Sequence, residues 1–442
     1  MSGPVTVNGA GVIPVTQLDA DVVIAGAGPA GVATAVALAR QRPALARDGR
    51  IVCFDRAHFP REKPCGGGLT GHARRALEDL GLAVRVPFVS CRAGRIVYGA
   101  ESRRVALERP VDVVRREDFD ADLVAQARAI GVRIIEGEGI AAHRVDREAG
   151  VVTIETTGGG HLRARVLVAA DGAGSRIRKE LTEGDARAPL RPLQLFKHEL
   201  IVDGPTGGGP SASGAVPEMI YDFSPMDEGM RGYVWLFPVA GGRLNVGAMH
   251  TPTRKLGGGE IVRILTRTLA RHGVTLPTAR GWPAWPYAPS ARLAGPHVLC
   301  VGDAAGIDAL TGEGIAVGLE HGPLAAAAIS RALERRDYSF NEYAGAVRRG
   351  VVGRELELDG RLARMLYARD GYRFWLSLVI FDRRMADLYA ARVCGSVVLA
   401  DHKGRLGAAL ARHAVAAPLR LRKMGRLARD ARAARDALSA AS

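Results

Sequence analysis

Apolar residues gather along this chain in short runs that end at glycine, and the runs predict an order of strands and helices. Residues 21–25 read as a short apolar strand, and past Gly26-Ala27-Gly28-Pro29-Ala30-Gly31 a helix is predicted over 31–40. A second strand, 51–54, ends in Asp55. Residues 111–114 run as a strand into a helix whose apolar positions recur at helical spacing through Ile130. A hairpin is predicted from 152–157, a turn at 158–160 and 162–169, leading into Asp171-Gly172. A strand over 297–301 precedes Gly302-Asp303-Ala-Ala-Gly306, and Thr311-Gly312-Glu313-Gly314-Ile315 opens a helix to about Leu333.

The middle of the chain changes pattern. Segments 194–202, 218–223, 232–238 and 243–249 read as strands of an antiparallel sheet, interrupted by a Gly/Pro-rich loop at 204–211. Tyr233, Trp235 and Phe237 alternate, so in a strand they share one face. Trp282, Trp285 and Tyr287 follow nearby. Such a wall suits a long hydrocarbon better than a charged metabolite; an aromatic core face explains any one of these residues equally well.

Chemistry enters through the glycines. Gly26 allows a tight turn, Gly28 lets the backbone approach a pyrophosphate, and Gly31 permits close packing of the following helix, whose N-terminal N–H groups point at the phosphate. Asp55 is placed to accept hydrogen bonds from a ribose. Arg116, at a helix start, is the better placed cation for a phosphate or ribose, with a surface salt bridge as the alternative. In Lys63-Pro-Cys65-Gly66-Gly67-Gly68-Leu-Thr70 three glycines strip side chains from a loop, as the wall of a flavin or substrate pocket requires; a flexible linker is the plainer reading. Asp303 can hold hydroxyls of a ribityl chain. The helix N-terminus at Gly312 to Ile315 can set its partial positive charge at the pyrimidine edge of a flavin, where charge accumulates on reduction. Glu313 is expected to organise the turn. Three segments, around Gly26, Asp171 and Gly302, thus describe one FAD site.

A length of 442 residues points to two domains and an appendage. Composition, 47% hydrophobic and 24% charged, excludes disorder throughout. The five cysteines (Cys53, Cys65, Cys91, Cys300, Cys394) include no CxxC and no Cys/His cluster at zinc spacing, so reduced thiols in a cytosol and no metal site are expected. Residues 1–17 have no basic start or apolar run of a signal peptide, and stretches such as 374–381 fall short of the roughly 20 apolar residues of a spanning helix. The net charge of +15 suggests nucleic acid, but only six of the 61 basic residues are lysines and no base-reading motif is present, so no nucleic-acid partner is expected. Residues 401–442 carry ten Lys/Arg and three Asp, 10 − 3 = +7, mixed with apolar residues in a way that suits an anionic membrane face as well as a solvated helix. A cytoplasmic protein is the expectation, with peripheral contact at the inner face of the membrane as the alternative to a plain solvated tail.

The motifs Gly26-x-Gly28-x-x-Gly31, Lys63-x-Cys65-Gly-Gly, Asp171-Gly172, Gly302-Asp303-Ala-Ala-Gly306, Thr311-Gly-Glu-Gly-Ile315 and Tyr233-Val-Trp235-Leu-Phe237-Pro238 resemble the geranylgeranyl reductase family, within the para-hydroxybenzoate hydroxylase-like flavoproteins, over residues 19–345. The resemblance implies an α/β fold: a discontinuous Rossmann-type FAD-binding domain (19–85, 109–185 and 288–345), an inserted antiparallel β-sheet substrate domain (86–108 and 186–287), an N-terminal extension (1–18) and a basic helical C-terminal region (346–442). It implies cofactor contacts at Gly26, Gly28, Ala30, Gly31, Asp55, Arg56, Cys65, Gly66, Gly67, Arg116, Asp171, Gly172, Gly302, Asp303, Gly312, Gly314 and Ile315. Substrate contacts fall at Tyr233, Trp235, Phe237, Pro238 and Gly247, and Cys65 and Tyr233 are candidate proton donors. The implied reaction is saturation of carbon–carbon double bonds in a geranylgeranyl or other lipid-like isoprenoid, with electrons reaching FAD from NAD(P)H or a reduced redox protein.

Two departures bear on the substrate. The loop between Gly306 and Thr311 is one residue shorter than the family's and lacks its proline, and Met249 replaces a glycine of the later GxG. The scaffold also supports monooxygenases and halogenases; no WxWxIP segment is present, and Gly306 stands where hydroxylases often have histidine. A membrane-surface flavoprotein that passes electrons to a quinone fits the basic tail too.

Overall fold

The computed structural model describes residues 18–183, 192–201, 217–251, 256–368 and 371–440; the expected loop at 204–211 lies outside the described residues. The apolar runs assemble into a six-stranded sheet in the order Ala294–Gly295, Val298–Cys300, Val166–Ala169, Val22–Ala25, Ile51–Asp55, Arg133–Glu136. All its pairings are parallel except that of the first two strands. Val22–Ala25 and Val166–Ala169 are buried at every position, as a sheet covered on both faces requires. Helices Pro29–Gln41 and Ile315–Arg335 pack closely, since a Cβ on Gly322 would stand 2.5 Å from Ala33.

The predicted hairpin forms, but its second strand ends at Ala164 rather than at residue 169. His161–Ala164 pairs with Val151–Thr156, in a three-stranded sheet with Ile140–Asp146, whereas Val166–Ala169 joins the parallel sheet. The chain changes sheet at Arg165, whose N–H donates to the Asp21 carbonyl at 3.1 Å and whose guanidinium meets the Asp21 carboxylate at 3.2 Å. Burial explains the split: His161–Ala164 is partly exposed, and Val166–Ala169 needs cover on both faces.

The middle of the chain forms the expected largely antiparallel sheet. Its order is Arg280–Ala284, Leu193–Ile201, Arg243–His250, Gly232–Val239, Glu218–Asp222, Phe88–Tyr98, Glu101–Val114, Gly68–Leu69. The strand Glu101–Val114 continues past the expected boundary at residue 108 and pairs with Gly68–Leu69, tying the triple-glycine loop to this sheet. Strand alternation then sorts the side chains. Val234 and Leu236 pack with Ile261 and Leu265 of helix Gly258–Arg271, while Tyr233, Trp235 and Phe237 share a second cluster with Met249 and the C-terminal residues Tyr367 and Leu376. The C-terminal region is helical, as expected: Tyr343–Arg349, Val351–Leu366, Tyr372–Phe381, Arg383–Val393 and Lys403–Ala440. No helix among the described residues is long and apolar enough to cross a membrane.

Candidate functional site

The nucleotide end is built by backbone. Gly26 has φ +106°, and a Cβ there would stand 2.3 Å from the Ala170 carbonyl oxygen; one on Gly31 would stand 1.9 Å from that of Gly26. Both positions therefore exclude any side chain. At Gly28 the nearest obstacle is the Arg61 guanidinium, 3.2 Å from the Cβ position, so the helix mouth faces a cation. Asp55 accepts from the Ala27 N–H (2.9 Å) and the Ala57 N–H (3.0 Å), which fixes this turn while leaving lone pairs for a further donor. Arg56 is exposed, and Ala30 packs under Gly302 and Gly318.

Arg116 makes a salt bridge, the alternative given for it, but inside the protein rather than at the surface. Its guanidinium is buried and forked onto Asp120, with both bonds at 2.8 Å. Arg61 meets the same Asp120 at 3.3 Å and approaches Asp55 at 3.8 Å, and it is the cation beside Gly28. Sequence reasoning missed Arg61; its position just before the triple-glycine loop was the available signal.

Lys63 draws the other segments together. Its ammonium lies 3.2 Å from Asp303 and 3.9 Å from the Cβ position of Gly172. Burial opposes ionisation of Asp303, but Lys63, with Arg116 and Arg61 beyond it, holds the carboxyl below its ordinary range. Asp171, whose carboxylate accepts from the Arg176 N–H at 3.3 Å, is pushed upward by burial. Gly302 (φ +58°) is held on its other side by a hydrogen bond that its N–H donates to His321 Nδ1 at 3.0 Å. Burial lowers the His321 pKa to about 4, keeping that nitrogen an acceptor.

Beyond Lys63 opens an apolar cavity of about 300 Å³, roofed by the loop from Lys63 to Thr70 and by Gly312 to Ile315. Tyr221, Tyr233, Trp235, Phe237 and Met249 form one wall. Phe237 fills the space that a Cβ on Gly66 would need, at 2.7 Å, and the Trp235 indole lies 2.2 Å from the Cβ position of Gly247. Pro238 is buried in the same strand. A chain of hydrogen bonds joins sheet to loop: Trp235 Nε1 donates to Asn245 Oδ1 (3.0 Å), and Asn245 Nδ2 donates to the Cys65 carbonyl (2.7 Å). The Cys65 thiol accepts from the Gly67 N–H at 3.4 Å. Asn245 had no motif to mark it.

The short turn after Gly306 is held by side chains. Asp308 accepts from the Leu310 N–H (2.6 Å) and the Thr311 N–H (2.9 Å), while Tyr233 and Tyr367 donate their hydroxyls to the Thr311 and Leu310 carbonyls, each at 2.5 Å. Met249 also reaches this turn, its sulfur 3.0 Å from the Cβ position of Gly312. Glu313 accepts from the Thr70 hydroxyl at 2.5 Å, linking the two roofing loops. The opposite wall comes from the C-terminal helices, through Leu362, Leu366, Trp375, Val379, Tyr389 and Val393. None of these belonged to a motif; only the apolar run at 374–381 hinted at them.

A family model described as FAD binding domain matches residues 19–339. The chain is 32% identical over 330 residues to the menaquinone reductase of Mycobacterium tuberculosis, covering 70% of this chain and 76% of that protein. It is 28% identical over 336 residues to digeranylgeranylglycerophospholipid reductase 2 of Methanopyrus kandleri, covering 73% and 80%. The solved structure of a geranylgeranyl bacteriochlorophyll reductase-like protein from Thermoplasma acidophilum superposes with a TM-score of 0.60 at 20% identity, over 92% of this chain and 98% of that one. At that identity the likeness in shape shows the fold alone.

Proposed function

Because the chain belongs to the FAD binding domain family of oxidoreductases, with reductases among its relatives, we propose that it saturates carbon–carbon double bonds of a polyprenyl or geranylgeranyl lipid. The observation that carries this reading is the cavity, apolar on nearly every side and opening directly below the loops from Lys63 to Thr70 and from Gly312 to Ile315. A long hydrocarbon is the ligand such a wall accommodates without leaving polar groups unpaired.

The residues fit the cofactor. Gly26, Gly28 and Gly31 clear the helix mouth, Arg61 offers a charge to the pyrophosphate, Asp55 a carboxylate to the ribose, and Asp303 a carboxylate to the ribityl hydroxyls. Bound FAD supplies the hydride. The remaining work falls to the chain itself. The N-terminus of helix Ile315–Arg335 presents partial positive charge where the flavin's pyrimidine edge would lie. The Trp235–Asn245–Cys65 chain holds the glycine loop against the substrate sheet, and the C-terminal helices keep water from an alkene that must receive hydride and proton together. NAD(P)H or a reduced redox protein would serve as electron donor. Val415 and Leu419, 86% and 73% exposed on helix Lys403–Ala440 beside exposed Arg412 and Arg422, support contact with the anionic inner face of a membrane, from which a lipid substrate could enter.

The test is the mass change of a geranylgeranyl lipid incubated with FAD-loaded protein and reductant, with and without oxygen. Gain of hydrogen pairs under anaerobic conditions is the expected result. Incorporation of oxygen, seen only in air, would replace this reading by a monooxygenase, and an unchanged lipid in both would end it.

A further inference from the structure

The floor of the cavity meets its roof along a single strand. Pairing sets Arg243–His250 between Leu193–Ile201 and Gly232–Val239, and by strand alternation Asn245 and Gly247 share with Met249 the face turned to the cavity. Each of these three positions carries a contact with the loops above. Asn245 Nδ2 donates to the Cys65 carbonyl at 2.7 Å. Gly247 leaves room for the Trp235 indole, 2.2 Å from its Cβ position, and the indole nitrogen lies 3.8 Å from the Cβ position of Gly66. The Met249 sulfur lies 3.0 Å from the Cβ position of Gly312. Together they form a partition.

Cavity wall continues on both sides of it. On the outer side, toward the edge strand Arg280–Ala284, stand Leu195, Trp282, Pro283 and Ala284. On the inner side stand Tyr233 and Tyr221, and Val105 packs there against Ala386 and Ala390, which sets the C-terminal helices over this side. Register puts Trp282, Leu195, Met249 and Tyr233 in one row across four strands, with Met249 between the two sides. The three posts of the partition differ in kind. Asn245 is fixed by its bond to backbone, and the Trp235 indole is fixed by its bond to Asn245 at 3.0 Å. Met249 is fully buried and holds its place by packing alone, through an unbranched, adaptable side chain. It is the post whose width can change without breaking a hydrogen bond.

We infer that Met249 is the stop that limits how far a hydrocarbon reaches along the cavity, and so selects the length of chain the protein accepts. The inference rests on the reading of this cavity as a hydrocarbon site. A chain entering from the side of the C-terminal helices fills the inner side and ends against the Met249 thioether, below Gly312. The outer side stays closed to it. Shortening this side chain joins the two sides and offers Leu195 and Trp282, next in the row, as further apolar wall.

The test is the affinity of oxidised, FAD-loaded protein for all-trans prenyl alcohols of increasing length, from farnesol upward, read from the fluorescence of Trp235, Trp282 and Trp375 on the cavity wall. Wild-type affinity is expected to rise with length and then level off. In Met249→Ala the levelling point should move to longer chains, and the first alcohol beyond the wild-type limit should bind about tenfold or more tightly than it does to wild type, the effect of burying a further isoprene unit. Met249→Leu, which nearly conserves the volume, should reproduce the wild-type limit. Flavin content checks that each variant is folded, and Met249→Val, whose side chain suits a strand, gives the same test if Met249→Ala loses flavin. A levelling point unmoved by either shortening, or no levelling in the wild type, would overturn the stop. Binding needs no turnover, so a protein that binds the series but saturates no double bond loses the reductase reading alone. One that binds no member of the series loses the hydrocarbon reading, and the stop with it.

Discussion

The two ends of the cavity are made in different ways. At the nucleotide end the working surface is backbone, since the turn at Gly26 to Gly31 and the loops at Gly172, Gly302 and Gly312 succeed by having no side chain. At the C-terminal end the surface is side chain, with Leu362, Leu366, Trp375 and Tyr389 projected from helices of ordinary composition. A backbone surface tolerates few residue types, so it writes a motif. An apolar helix face tolerates many, and writes only periodicity.

The sharpest way to break this comparison is a single methyl-bearing side chain on each surface. Gly31→Val puts a Cβ 1.9 Å from the Gly26 carbonyl oxygen, which only a backbone shift can relieve. Overpacking of this kind costs about 1–3 kcal/mol, and the displaced turn lies where the pyrophosphate must approach. The purified variant is expected to carry no flavin absorbance. Leu366→Val on the opposite wall should retain full FAD content; equal flavin loss in both would show that the two ends are not built differently.

The same physics explains what the sequence revealed and what it withheld. Gly26, Gly28, Asp55, Asp171, Gly302 and Asp303 all lie at or just past the C-terminal ends of the parallel strands, in the order and spacing a buried parallel sheet imposes. The alternation of Tyr233, Trp235 and Phe237 placed them on one face of the inserted sheet, as found. For Arg116, charge and a helix-start position are visible in sequence, whereas its ion pair with Asp120, one turn on along the same helix, becomes a buried one only once that helix is packed. The second strand of the hairpin was expected to run on to residue 169 because strand propensity does not say which sheet a strand joins. Asn245 and Arg61 act through contacts between segments far apart in the chain, where a single sequence carries no spacing to read.

His321 sharpens the comparison, because it is a side chain serving the backbone surface. It is fully buried, and its Nδ1 accepts from the Gly302 N–H, which requires the neutral ring. Its folded pKa, lowered from 6.5 to about 4, sets the sign: the stabilisation is complete above pH 6.5 and is lost as pH falls toward 4. A shift of this size is worth about 3 kcal/mol at most. Urea unfolding followed from pH 7.5 to 4.5 should show the wild type losing stability below 6.5 more steeply than His321→Asn, which keeps an acceptor and removes the titration. Parallel pH profiles would mean that another group governs acid unfolding.

The smallest effect is expected where the C-terminal wall is fastened to the substrate sheet. Asp227 accepts the Tyr98 hydroxyl at 2.8 Å, the Tyr372 hydroxyl, and Arg373 Nη2 at 2.9 Å, and the Arg231 guanidinium lies 4.6 Å over the Tyr372 ring. Helix Tyr372–Phe381 is thus tied at its first turn to the strand Phe88–Tyr98. Asp227→Asn removes the charge but keeps the shape, and should cost about 1–2 kcal/mol through weakened charge-assisted bonds. Because the tie lies outside the nucleotide end, FAD content and the rate of flavin reduction should not change. The Michaelis constant for the lipid should rise a few-fold, and the C-terminal helices should become more open to limited proteolysis. Loss of flavin in Asp227→Asn would show instead that the two ends hold each other in place, and that the motif-free wall supports the surface the motifs describe.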